Sequence, residues 1–251
     1  MKVASWNVNS INVRLPHVLD WLDIHRPDIL GLQELKLPTE KFPVDALTEV
    51  GYHSIVNGQK TYNGVALLSR SLGDAIVTDI PDYSDEQRRV VAASFGDTRI
   101  LNLYVPNGQT VGSEKYEYKL GWLDALQQWI VAELGNHERV LVMGDFNIAP
   151  EDQDVHDPEE WRDKVLCSKP ERERLQALLS LGMKDSFRLF DQPEDSFSWW
   201  DYRAAGFRRN RGLRIDLLLV SDALAETCTA GGIDKEPRML ERPSDHAPVW
   251  V

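Results

Sequence analysis

The sequence lacks the features that mark several large classes of protein. It has only two cysteines, Cys167 and Cys228, far apart in the chain, which supports neither a disulfide framework nor a zinc site. A reducing, cytoplasmic compartment is the expectation. No apolar run is long enough to span a bilayer, and the opening MKVASWNVNS lacks the apolar core of a secretory signal, so no membrane partner is expected. The patterns GxSxG, HExxH and GxxxxGK[ST] are missing, which removes the commonest serine-hydrolase, zinc-protease and nucleotide-triphosphatase signatures. Positive charge is scarce too. The 28 Lys and Arg residues face 40 Asp and Glu, giving a net charge of −12. A uniformly acidic surface would repel a polyanion.

The charge is not uniform. From Asp201 to Arg214 the chain reads DYRAAGFRRNRGLR, with five arginines, one aspartate and a net charge of +4, leaving −16 for the rest. Such a patch on an acidic body can still hold phosphates. The 251 residues are 42% hydrophobic and 27% charged, as in a globular protein with a sizeable core. With no linker, repeat or low-complexity tract, a single domain over residues 1–251 is expected.

Apolar runs of strand length recur: KVASWN, DILGLQ, GVALLSR, VVAASF, RILNLYV, RVLVMGDFN, RIDLLLVS and HAPVWV. Many are continuous rather than alternating, which suggests strands covered on both faces. Between them, Leu15, Val18, Leu19 and Leu22 follow helical spacing, closed by Pro27. From Ser113 to Leu134, Leu120, Trp122, Leu123, Leu126, Trp129 and Ile130 make a broad apolar helical face, with Gly135 as a stop. Ser168-Lys-Pro-Glu171 has the form of a capping box and opens ERERLQALLSLG, which Gly182 ends. The expected class is α/β, with sheets stacked on each other and helices outside.

Several apolar runs end on polar groups. GDFN follows Val140–Met143; alternation along a strand would point Asp145 and Asn147 one way and Phe146 into the core. Asn7 ends SWN, Glu34 follows DILGLQ, and Tyr104 and Asn107 close LNLYVPNG. Asp216 sits inside LRIDLLLV, and Asp245 and His246 precede the last run. Each has an ordinary reading: Asp145 as a turn cap, Asn7 as a turn former, Glu34 as a solvated charge, His246 as a satisfied structural histidine. Asp216 is harder to explain that way, because an unpaired buried carboxylate is costly; a histidine would be a good partner. Together, polar groups at one sheet edge would form a convergent site of carboxylates, amides, a tyrosine and a histidine. Such ligands suit magnesium or manganese better than zinc, and metal-assisted hydrolysis of a phosphoester fits them.

SWNVNSIN, LQELK, YVPNG, GDFNIAP, FSWWDYRAAGFRRNRGLRIDLLL and SDHAPVW occur in order from end to end. As a set they resemble the exonuclease III family of abasic-site endonucleases, within the deoxyribonuclease I-like metal-dependent phosphoesterases, and the bacterial branch in particular. The resemblance implies a four-layer α/β sandwich of two packed mixed sheets flanked by helices. It implies Glu34 as the main magnesium ligand, with Asn7 beside it and Asp245 near the metal. Asp145 would orient or deprotonate the attacking water, Asn147 would help hold it, and His246 would contact the scissile phosphate with its ring fixed by Asp216. Tyr104 and Asn107 would contact the phosphate near the leaving group. Asn9 stands where some members have aspartate, which leaves a second metal position open.

The base is either Asp145 or a His246–Asp216 pair. By resemblance, Trp199, Leu213 and Ile215 would form an apolar pocket for a flipped sugar that has no base. Arg203, Arg208, Arg209 and Arg211 would meet DNA phosphates. Two core tryptophans at Trp199 and Trp200, and a solvated loop of arginines, are the plainer alternatives. The implied partner is double-stranded DNA carrying abasic sites or blocked 3′ ends, acted on by a monomer. The implied activities are incision 5′ to an abasic site, 3′-phosphatase, 3′-phosphodiesterase and 3′→5′ exonuclease. Rival readings are a phosphoesterase of inositol phosphates or sphingolipids, and a non-catalytic DNA-binding protein on the same fold.

Overall fold

A computed structural model describes every residue from Met1 to Val251. Along the chain come β1 (Val3–Asn7), α1 (Ile11–His25), β2 (Ile29–Gln33), α2 (Val44–Glu49), β3 (His53–Asn57), β4 (Val65–Ser69), β5 (Asp74–Val77), β6 (Val90–Phe95) and β7 (Thr98–Tyr104). Then follow α3 (Glu114–Asn136), β8 (Arg139–Asp145), α4 (Pro158–Trp161), α5 (Lys169–Leu179), β9 (Met183–Asp185), β10 (Trp199–Trp200), β11 (Gly212–Leu213), β12 (Asp216–Ser221), α6 (Asp222–Ala225), β13 (Gly232–Ile233) and β14 (Val249–Trp250). Each of the eight apolar runs holds a strand.

The strands form two mixed sheets of six. One has the order β13-β14-β1-β2-β4-β3 and the other β5-β6-β7-β8-β12-β9, with β10 and β11 as a separate ribbon. β1 and β2 are buried throughout and run parallel, as do β7 and β8. Continuous apolar sequence is what such doubly covered strands require. Val3, Ile29 and Leu67 of the first sheet pack against Ile100, Leu141, Met143 and Leu218 of the second. Outside the first sheet, Val18, Trp21 and Leu22 of α1 cover Ala4, Trp6 and Leu30. Outside the second, Trp122, Leu126 and Ile130 of α3, with Leu175 and Leu178 of α5, cover Leu101, Val142 and Leu219. The result is helix, sheet, sheet, helix: the α/β sandwich that the resemblance implied.

One polar tie crosses the apolar middle. Asn102 of β7 is fully buried, and its Nδ2 donates to the carbonyls of Leu32 (3.0 Å) and Ala66 (2.8 Å) in the facing sheet. Gln33 Nε2 donates back to Asn102 Oδ1 at 2.6 Å. Gly31 makes room, since a Cβ there would stand 2.7 Å from that oxygen.

Two helix ends differ from the sequence expectation. α3 runs through Gly135 to Asn136, because nothing in its surroundings calls for a glycine conformation there; the chain leaves the helix only at the extended His137. α5 opens on the expected Ser168–Glu171 capping box but stops at Leu179, before Gly182, which takes φ +93°.

Candidate active site

Strand direction brings the polar termini to one edge. β1 and β2 end together at Asn7 and Gln33, with Glu34 next in the chain at φ +52°. β7 and β8 end together at Tyr104 and Asp145. β12 runs the opposite way, so its first residue, Asp216, pairs with Asp145. The segment before β14 brings His246 against this edge through an isolated bridge to Trp199.

Asp145 is the hub. Its Oδ2 accepts from Asn7 Nδ2 at 2.9 Å and lies 3.7 Å from His246 Nε2; its Oδ1 accepts from the backbone N–H of Asn147 at 2.9 Å. Asp145 therefore caps a turn and at the same time faces Asn7 and His246 at the strand edge. Strand alternation, however, does not place Asn147: β8 stops at Asp145, and Asn147 takes φ +49° in the loop. The short turn closed by Asp145 returns Asn147 to the same side. Asn147 Nδ2 donates to the Val105 carbonyl, and Asn107 Nδ2 donates to Asn147 Oδ1, both at 3.0 Å. Phe146 points into the core as expected and is fully buried, a contribution of about 1.5–3 kcal/mol.

His246 and Asp216 form a buried pair, Nδ1 to Oδ2 at 2.9 Å. Ser198 completes it by donating to Asp216 Oδ2 at 2.6 Å while accepting the N–H groups of Ile215 and Asp216. Burial opposes charge on His246, but Asp216 and then Asp145 outweigh it and push its pKa up to about 10. Burial dominates at Asp145; partly offset by His246 and reinforced by Asp216 and Glu34, it raises that carboxyl to about 7. Burial also pushes the Tyr104 phenol well above its usual range, with the Glu34 and Asp145 carboxylates adding to it, so it stays protonated.

Glu34, Asp145 and His246 each offer one ligand atom, all within 4.8 Å of one another. The charge on Glu34 is met by Asn7 Nδ2 (2.9 Å) and Lys36 Nζ (2.9 Å). The two carboxylates of this set fit a hard divalent cation. Asp245 lies outside this group: Oδ1 accepts from Asn9 (2.8 Å) and Oδ2 from the Trp199 indole (3.0 Å). Burial would raise the Asp245 pKa, but the charge on His246 and these two donors hold it below the ordinary value.

Trp199 is half-buried and Trp200 fully buried, so the adjacent pair splits between groove and core. Trp199, Leu213 and Ile215 do share an apolar cluster, with Val155, Leu166 and Cys167, but Leu213 is 0% and Ile215 2% exposed. Trp161 of α4 meets Trp199 edge-on at 6.4 Å. Beside them is a cavity of about 200 Å³ lined by Trp161, Trp199, Arg203 and Arg211.

The basic window is smaller in space than in sequence. Arg214 is buried between Asp154 and Asp185, and Arg211 pairs with Glu160. Arg203, Arg208 and Arg209 remain exposed, without a carboxylate partner. Sequence shows the arginines of this stretch and not the distant acids that neutralise them.

Residues the sequence reading passed over include Ser198, Ser244, Lys36 and Arg89. Ser244 Oγ donates to the Asn7 carbonyl and accepts from His246 N–H, tying both ends of the chain to the site. The Arg89 guanidinium lies 4.9 Å from the Tyr104 ring centroid and donates to the Tyr104 carbonyl. Ser198, Ser244 and Lys36 lie inside FSWW, SDHAPVW and LQELK and so had a sequence signal; Arg89 had none.

The model of the endonuclease/exonuclease/phosphatase family matches residues 4–246. The chain is 41% identical to exodeoxyribonuclease III of Haemophilus influenzae, covering 100% of this chain and 99% of that one. A 3′ phosphatase from Neisseria, solved with a product DNA hairpin, is 48% identical with a TM-score of 0.98, the match covering 100% of this chain and 98% of that one. An AP endonuclease from Archaeoglobus fulgidus is 35% identical, with a TM-score of 0.95 and the same 98%.

Proposed function

This chain belongs to the endonuclease/exonuclease/phosphatase family and is a nuclease of the exodeoxyribonuclease III kind, and from that premise we propose that residues 1–251 form one catalytic domain that hydrolyses the phosphodiester 5′ to an abasic site in duplex DNA. The 3′-phosphatase, 3′-phosphodiesterase and 3′→5′ exonuclease reactions use the same centre. The observation that carries the reading is the convergence of Glu34, Asp145 and His246 within 4.8 Å at the polar edge of the two sheets.

Glu34 would hold a magnesium ion, with the amide of Asn7 beside it. Bound there, magnesium, or manganese in its place, supplies Lewis-acid polarisation of a phosphate oxygen and stabilises charge on the leaving 3′ oxygen. Asp145 takes the proton of the attacking water. Its carboxyl, raised by burial to about 7, accepts a proton more readily than a solvated aspartate. Asn7 and the Asn147 N–H fix its orientation. His246, protonated by its pairing with Asp216, donates to the phosphate and offsets its charge. This protonation argues against His246 as base. Asn147, Asn107 and Tyr104 offer donors for the remaining phosphate oxygens. Arg203, Arg208 and Arg209 hold the flanking DNA backbone, and Asp245 aims Trp199.

A second reading has 3′-end processing dominate over abasic incision. The full burial of Leu213 and Ile215 favours it, since a flipped sugar must open that packing to enter. Likeness to the Neisseria 3′ phosphatase points the same way. Parallel assays on an abasic duplex and a 3′-phosphate duplex, with magnesium and with chelator, separate the readings. Magnesium-dependent nicking of the abasic duplex supports the first. Phosphate release with little nicking supports the second, and activity in chelator contradicts both.

A further inference from the structure

Lys119 of α3 and Glu171 of α5 are both 0% exposed and pair with each other. Burying two charges carries a large desolvation cost, and an apolar pair of similar volume would serve packing alone as well or better. The ammonium has three hydrogens and three partners. One goes to Glu171 Oε1; the others go to the backbone carbonyls of Asn147 (2.6 Å) and Asn107 (3.2 Å). Glu171 in turn accepts the N–H groups of Leu166 and Ser168, both at 3.1 Å, and the Ser168 hydroxyl. One buried pair therefore anchors three loops.

Those loops meet at the reaction centre. The Asn147 N–H is the donor to Asp145 Oδ1, and the Asn107 amide donates to Asn147 Oδ1. Leu166 belongs to the apolar cluster behind Trp199, Leu213 and Ile215. The loops at Asn107 and Asn147 have no regular structure of their own, and Asn147 is held at φ +49°. We propose that Lys119 is a positioning residue for hydrolysis: its ammonium clamps the backbones of Asn107 and Asn147, so that both amides and the Asp145 carboxylate stay in the geometry the reaction needs. Glu171 holds Lys119 in place and extends the clamp to the wall of the substrate pocket. The inference rests on the phosphoester-hydrolysis reading above.

The test compares Lys119→Met, Glu171→Gln and the double variant with wild type by melting temperature, kcat and KM on a 3′-phosphate or abasic duplex, and hydrogen exchange. Lys119→Met leaves Glu171 buried and unpaired, and it loses both stability and turnover. The double variant removes both charges and recovers most of the melting temperature. Its kcat stays at least tenfold below wild type with KM within twofold, because the two carbonyls are still unclamped. Recovery of both stability and kcat in the double variant would overturn the proposal, as would a kcat within twofold of wild type in Lys119→Met. Should Lys119→Met fail to fold, the double variant carries the test alone. In it, peptides spanning residues 105–110 and 145–150 exchange faster than in wild type; unchanged protection contradicts the clamp. That readout needs no activity. A wild-type protein that cleaves neither duplex sinks the functional reading, while the clamp is still judged by exchange.

Discussion

At the scale of single residues, the site is a set of buried charges that satisfy one another. Asp216 was the one polar residue whose need for a partner was plain from sequence, because it interrupts an otherwise apolar strand. His246 is that partner, with Ser198 on the other oxygen. Asp216→Asn should cut turnover by about 10²-fold or more, since the ring loses its counter-charge and its orienting acceptor. Steady-state assays at saturating DNA check this; near wild-type kcat would remove Asp216 from the mechanism. The same pair predicts a pH effect on stability. His246 is raised from 6.5 to about 10 in the folded protein, so its contribution is complete below pH 6.5 and lost as pH rises towards 10. Thermal melts in chelator should show that decline between pH 6.5 and 10 in wild type and a flatter profile in His246→Asn. Glu171 is legible as a capping residue, but its pairing with Lys119 is not, because a lysine in an amphipathic helix looks like a surface charge; only the fold reveals that both point inward.

At the scale of elements, strand direction does most of the positioning. Parallel pairing ends β1 with β2 and β7 with β8 at one edge, and antiparallel β12 starts there. The runs themselves were readable as strands, because burial on both faces demands continuous apolar sequence. Short or exposed strands such as β3, β5 and β13 were not, since their sequences carry neither a long run nor clear alternation. Gly144, one residue before Asp145, shows how tight the edge is. It has φ +147°, and a Cβ there would stand 1.9 Å from the Leu103 carbonyl oxygen. Gly144→Ala should lose more than about 4 kcal/mol or fail to fold, because backbone rather than a flexible side chain blocks the methyl. Denaturant unfolding measures it, and a loss under about 1 kcal/mol would contradict the geometry.

At the scale of the whole molecule, an acidic protein presents a small basic face. Sequence alone overstated that face, since Arg211 and Arg214 are bound to Glu160, Asp154 and Asp185. Replacing Arg203, Arg208 and Arg209 together by alanine should weaken binding of duplex DNA and flatten its dependence on log salt by about 0.9 per lost phosphate contact. Arg214→Ala should instead reduce stability, because it removes the cation between Asp154 and Asp185, leaving Asp154 only Arg188 and Asp185 no ion-pair partner. Fluorescence anisotropy at several salt concentrations separates these effects; an unchanged slope in the triple variant would place the DNA on another face.

The measurement closest to the central claim is single-turnover cleavage by wild type and Asp145→Asn at saturating magnesium, on whichever of the abasic and 3′-phosphate duplexes wild type cleaves. The account predicts a loss of about 10³-fold in rate with DNA binding and melting temperature retained, since the amide keeps the shape and removes the base. A folded Asp145→Asn protein that cleaves within tenfold of wild type would contradict it.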